Sequence, residues 1–145
     1  MWTVKDMLDQ KGRDVWTVAP EAQVLDALKM MAERGIGALV VVSGQRVVGV
    51  FSERDYARKV VLKERSALNT PVRDVMTSDV FCVRNETTTD ECMALMTEKR
   101  IRHLPVIEDN RLTGLISIGD VVKAIITHQK ITIEHLQDYI MGKYV

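Results

Sequence analysis

Apolar positions along this chain follow two rhythms in turn, and the whole sequence of rhythms runs through twice. Val24, Leu28, Met31 and Ala32 recur at helical spacing, with Glu21 and Asp26 bringing acids toward the start of that segment. A β-rich run, Ile36-Gly-Ala-Leu-Val-Val-Val42, follows, then the polar Ser-Gly-Gln-Arg and a second run, Val47–Phe51. Two short β-branched runs across a four-residue polar loop predict a hairpin. Ser52 then opens a second helix whose apolar positions are Tyr56, Ala57, Val60 and Val61. Farther on, Cys92, Met93 and Met96 occupy a matching helical face with Asp90 early, and IRHLPVI, EDNR and LTGLI repeat the hairpin before Ser117 opens another helix.

The recurrence is a tandem duplication. Sliding the chain by 65 residues aligns Asp14–Val61 with Asp79–Ile126 without a gap, and 13 of the 48 positions are identical, among them Gly49/Gly114, Ser52/Ser117 and Asp55/Asp120. Upstream, VKDML at 4–8 matches VRDVM at 72–76 with an offset of 68, so the first copy carries three extra residues near Gln10–Arg13. Each copy is about 60 residues, marginal alone, so the copies are expected to bury apolar faces against each other. The division predicted is a first repeat with its connector over 1–69, a second over 70–127 and a helical tail over 128–145. Lys63–Asn69 reads as the polar connector, Thr70-Pro71 as the N-cap and first-turn pair opening the second unit, and Thr132–Met141 as a separate helix closed by Gly142. The fold class is α/β, with two pseudo-symmetric β-α-β-β-α repeats.

Composition narrows the function. With 46% hydrophobic and 28% charged residues the chain is an ordinary globular one, not a disordered one. Twenty basic residues balance twenty acidic ones, which supplies no general field for nucleic acid or an anionic membrane. Its longest apolar runs are too short to cross a bilayer, and MWTVKDMLDQKG lacks the order of a signal peptide. Cys82 and Cys92 make neither a disulfide framework nor a metal cluster. These features predict a soluble, cytoplasmic protein.

The twofold pattern, with Gly49-Val-Phe-Ser52-Glu-Arg-Asp55 and Gly114-Leu-Ile-Ser117-Ile-Gly-Asp120, resembles a tandem pair of cystathionine-β-synthase (CBS) domains. Ile101-Arg-His-Leu-Pro-Val106 is similar to that family's strand motif before the hairpin, and the likeness covers residues 4–127. It implies a small stand-alone Bateman module: a disc of two repeats with clefts for adenosine-containing ligands (AMP, ADP, ATP or NAD(H)), often a homodimer, regulating or sensing rather than catalysing. It implies a phosphate-contacting role for Arg102 and His103, and an adenine pocket among Thr17, Gly37, Ala38, Cys82 and Pro105. Cys82 stands where the family more often has a hydroxyl residue.

The residues themselves leave two readings of each feature. An ionised Asp offers acceptors to the paired hydroxyls of a ribose, and a helix start attracts phosphate, so Ser52, Asp55, Ser117 and Asp120 are ribose candidates. Ser-x-x-Asp before an apolar helix is equally a capping box. Duplicated spacing together with the resemblance favours ribose. Arg54, a cation at a helix start, is unfavourable against the dipole unless an anion is near, and otherwise reads as a solvated arginine. Copy one has Arg54 but small Gly37 and Ala38, whereas copy two has Arg102 and His103 but Gly119 in place of Arg54, so the two clefts are expected to differ. No metal-ligand spacing, phosphate loop or nucleophile elbow is present, and no catalytic residue or catalytic cofactor is assigned. The function predicted is a nucleotide sensor acting through an unidentified effector protein or self-association. The alternative is a dimerisation scaffold with vestigial clefts.

Overall fold

The computed structural model describes residues 2–142. Helix α1 (Val4–Lys11) leads into β1 (Thr17–Val18), α2 (Val24–Arg34) and the hairpin β2 (Ala38–Ser43)–β3 (Arg46–Ser52). The chain then enters a short helix α3 (Glu53–Asp55), which widens into a π-helical turn over Tyr56–Val61. In the second repeat a 3-10 turn (Val72–Asp74) precedes α4 (Thr89–Lys99), the hairpin β4 (His103–Glu108)–β5 (Arg111–Ser117) and α5 (Ile118–Ile140). Strand β1 pairs in parallel with β2, and at the equivalent place in the second repeat only a single parallel bridge forms, Val83 with Val106.

Several local expectations change. The hairpin turns are two residues long rather than four, because Ser43 pairs with Arg46 and Glu108 with Arg111. Asp109 and Asn110 both adopt positive φ, the conformation a tight hairpin turn demands and that Asp and Asn tolerate. Thr70 does not cap a helix. It is buried, its carbonyl accepts the Val24 N–H at 2.9 Å, and Pro71 remains extended before the turn. The C-terminal tail is not a separate helix: α5 continues unbroken from Ser117, because after Gly119 in its first turn no Gly or Pro follows before Gly142, which takes φ 75°. Residues 143–145 of the expected tail lie outside the described residues.

The two repeats exchange their leading segments. Val4, Met7 and Leu8 of α1 are buried with Cys92, Met96, Leu104, Ile116 and Val121 of the second repeat. Reciprocally, Val72 and Val75 are buried with Val24, Met31, Leu39, Phe51 and Val60 of the first. Backbone pairing fixes the exchange: Val4 N–H donates to the Thr87 carbonyl at 2.7 Å, and Val72 N–H to that of Ala22 at 2.8 Å. Thr3 bridges Thr88 just as Pro71 bridges Gln23. Neither small core is complete without a piece of the other repeat, which removes the marginality of a 60-residue unit. The exchange also lays Thr77 against β3, where it bridges Val50 beside the start of α3.

Candidate functional site

Four helices begin with the same device. In Thr3–Asp6, Ser52–Asp55, Thr88–Glu91 and Ser117–Asp120, the hydroxyl accepts the N–H three residues on, and the acid accepts the N–H of the hydroxyl residue. Ser-x-x-Asp is therefore a working capping box here, satisfying helix N–H groups that the first turn leaves unpaired. Since Thr88–Glu91 does the same at α4, the box alone does not mark a ligand. What distinguishes one of them is the space it faces.

Ser52 and Asp55 open onto a cleft of about 720 Å³ lined by both repeats. The first repeat supplies Gly37, Val50 and the run Ser52-Glu-Arg-Asp55 with Arg58 and Lys59; the second supplies Thr77, Asp79–Phe81 and Lys99–His103. Asp55 is only 8% exposed. Its Oδ2 accepts the Ser52 N–H at 3.0 Å and the Ser52 hydroxyl at 3.1 Å, while Oδ1 accepts the Thr77 hydroxyl at 3.1 Å and lies 3.1 Å from Lys59 Nζ. All four acceptor positions are thus taken, and a ribose diol would have to displace the half-exposed Lys59 ammonium or the Thr77 hydroxyl.

The equivalent carboxylate differs. Asp120 Oδ2 accepts the Ser117 N–H at 2.8 Å and pairs with Lys11 Nζ at 2.7 Å, and Lys11 also donates to the Leu115 carbonyl at 2.9 Å. Burial works against ionisation of Asp120, but Lys11 and Ser117 overcome it and hold the carboxyl below its ordinary range. A depression of about 60 Å³ lies beside this carboxylate. Lys11 belongs to the three-residue insertion of the first copy, so the duplication supplies no counterpart for it at Asp55. A second difference follows the repeat: the Arg34 guanidinium stacks 3.9 Å from the Trp16 ring centroid, whereas Lys99 stands 5.2 Å from that of Phe81. Phe81 and Lys99 line the Asp55 cleft, where Lys59 lies 3.1 Å from the carboxylate, against 2.7 Å for Lys11 at Asp120.

The other sequence-selected residues divide in the same way. Arg54, Arg102, His103 and Gly37 line the large cleft with Ser52 and Asp55; Asp120 borders the small depression, and Ser117 lines neither. Thr17 and Cys82 are exposed, and Ala38 and Pro105 are buried in the strands; none of these four lines either space. Arg58 beside the exposed Arg54, with slight desolvation and Arg102 after it, pushes the Arg54 guanidinium below its ordinary range, a mark of cations crowded together. Burial and the charge of Lys11 push the His103 imidazole down, against the pull of Asp120 and Asp55. Cys92 is a core thiol that burial pushes up to about 11, too high for a nucleophile at neutral pH. Among the described residues no cluster of three or more His, Cys, Asp or Glu is placed to hold a metal, and no helix is long and apolar enough to cross a membrane.

Sequence reading alone passed over Thr77, Phe81, Lys99, Arg100 and Lys11. Arg58 and Lys59 carried a signal, lying one turn beyond Arg54 and Asp55. Thr77 and Lys11 carried none, because they reach their carboxylates only through the exchange of leading segments.

The profile of the CBS domain matches residues 4–62 and 72–127. A curated relative, the mitochondrial CBS domain-containing protein CBSX3 of Arabidopsis thaliana, is 39% identical over 98% of this chain and 73% of its own length. Among solved structures, a protein with CBS domains from Burkholderia ambifaria that carries a signal-transduction designation is 55% identical, covering 88% of this chain and 96% of its own, with a TM-score of 0.83. The CBS-domain protein ATU1752 of Agrobacterium tumefaciens is 45% identical over 84% of this chain and 98% of its own, with a TM-score of 0.79.

Proposed function

The chain belongs to the CBS-domain family as a tandem pair, a kind of module commonly used in regulation and signal transduction, and on that premise we propose that it senses an adenosine-containing nucleotide in the cleft at Asp55. The observation that carries this reading is the conjunction, in one cleft of about 720 Å³ shared by both repeats, of a capped carboxylate at a helix start and guanidinium groups that enter no ion pair among the described residues. In the proposed complex Asp55 accepts from the ribose hydroxyls once Lys59 swings out, and Ser52 stays as the cap that orients the carboxylate. Arg54, Arg102 and His103 contact phosphate, and Gly37 leaves room beside them. Binding is to AMP, ADP, ATP or NAD(H), with no catalytic step. Because the cleft walls come from both repeats, a ligand stabilises one relative setting of them, and a partner reads that setting.

The output runs through an unidentified effector or a second copy of the chain. A stripe of exposed apolar side chains along α5, including Val122, Ile126, Ile133, Leu136 and Ile140, supports a homodimer, as its spacing keeps one helix face apolar. We divide the chain functionally into 1–69, 70–127 and the tail from 128, and place the protein in the cytoplasm. A scaffold with vestigial clefts has one observation in its favour: Asp55 already has four internal partners.

Thermal unfolding with AMP, ADP, ATP, NAD and NADH, and GMP as base control, separates the two readings. A native-state ligand at 100 times its dissociation constant stabilises by about 2.7 kcal/mol, a shift of several degrees. An adenine-dependent shift that Asp55→Ala abolishes supports the sensor; no shift from any nucleotide with folded, ligand-free protein supports the scaffold.

A further inference from the structure

The Asp55 cleft holds more positive charge than one phosphate group requires. Arg54, Arg58, Lys59, Lys99, Arg100 and Arg102 line it against the three acids Glu53, Asp55 and Asp79. Lys59 is paired with Asp55 and Lys99 with Glu98, but among the described residues Arg54, Arg58, Arg100 and Arg102 enter no ion pair. Four like charges facing one concavity repel one another, and water screens that repulsion less inside a cleft than on an open surface.

Arg100 adds an independent observation. It ends α4 in the left-handed conformation, φ 54° and ψ 43°, where the first repeat ends α2 with Gly35 at φ 63° and ψ 38°. Glycine is the residue suited to that position, and an arginine side chain there is held at a conformational cost. The backbone has no use for the side chain at this point, and the side chain lines the cleft.

We infer that the cleft is built for a ligand carrying a di- or triphosphate chain, with the phosphates beyond the first held by Arg58 and Arg100. The inference rests on the nucleotide reading and narrows it: bidentate guanidinium contacts reward each added phosphate, so a nucleoside triphosphate binds better than its monophosphate. Arg54 and Arg102 take the first phosphate, and Arg58 and Arg100, like them exposed, take the rest.

Isothermal titration of the whole protein with AMP, ADP and ATP at one low ionic strength tests this, comparing wild type with Arg58→Gln and Arg100→Gly. The expected result is ATP binding about tenfold or more tightly than AMP, with ADP between, and each substitution cutting ATP affinity severalfold while AMP affinity stays within about twofold. Arg100→Gly relieves the left-handed strain, so its melting temperature holds or rises and a lost ATP preference cannot be assigned to a weakened fold. AMP binding as tightly as ATP, or an ATP preference unchanged in both variants, overturns the inference and leaves the nucleotide reading standing. Failure of all three nucleotides to bind overturns both.

Discussion

Gly114 lies directly beneath Leu8: a β-carbon added to it would stand 2.8 Å from one Leu8 methyl and 3.0 Å from the other. The repeat-related Gly49 would place a β-carbon 2.5 Å from Met76 Sδ and 3.0 Å from the Thr77 carbonyl oxygen. Each glycine is a socket on a hairpin strand that receives the leading segment of the other repeat.

Gly114→Ala is therefore expected to destabilise by about 1–3 kcal/mol through overpacking, since Leu8 is fully buried and has little room to move. Leu8→Ala costs about 2–5 kcal/mol by leaving a cavity. In the double mutant the new methyl enters that cavity, so the measured loss falls short of the sum of the singles. A denaturant-unfolding cycle reads the coupling, and strict additivity would count against the exchanged packing.

The four capping boxes separate structural from ligand-binding roles. Ser52→Ala and Thr88→Ala should each lower stability by about 1 kcal/mol, because each removes the same hydroxyl acceptor from a helix start. Only Ser52→Ala should weaken nucleotide binding, since the carboxylate it orients faces the large cleft. Equal effects of the two on affinity would return Ser52 to capping alone.

Lys11→Met releases Asp120. Near neutral pH the half-exposed pair contributes about 1 kcal/mol or less. The folded Asp120 carboxyl titrates below its ordinary value of 3.8, so its contribution is present above that value and is lost as pH falls through the depressed one. Urea midpoints between pH 2 and 7 should show a shallower acid limb in Lys11→Met, and superimposable limbs would contradict the assignment.

His103 has the same sign of dependence at higher pH. Its folded pKa lies below the ordinary 6.5, so the unfolded chain takes up the proton first, and stability falls as pH drops from about 6.5 toward the folded value. His103→Gln should remove this slope between pH 8 and 5 in denaturant midpoints. In wild type, a bound anionic ligand should flatten it, because an anion beside the ring favours the charged form and works against the burial and the Lys11 charge that oppose it.

The duplication, the two hairpins and the helix starts at Ser52 and Ser117 were legible in the sequence, because hydrophobic period and capping spacing act locally, whereas the hairpin turn length and the caps at Thr3 and Thr88 were not. The inequivalence of Arg54/Gly119 and Gly37–Ala38/Arg102–His103 was legible too. What the sequence concealed depends on long-range contact. Lys11 meets Asp120 across 109 positions, and Thr77 reaches Asp55 only because its segment crosses to the other repeat. The continuity of α5 was also hidden: polar residues from His128 to Lys130 interrupt the apolar pattern without breaking the helix, since none of them is a helix breaker.

The central claim, that the cleft at Asp55 is the nucleotide site and the position at Asp120 is closed by Lys11, is tested most directly by calorimetric stoichiometry with ATP. The account predicts one nucleotide per chain, binding lost in Asp55→Asn and kept in Asp120→Asn, with both variants confirmed folded by their melting temperatures. Two nucleotides per chain, or binding lost in Asp120→Asn and kept in Asp55→Asn, would contradict it.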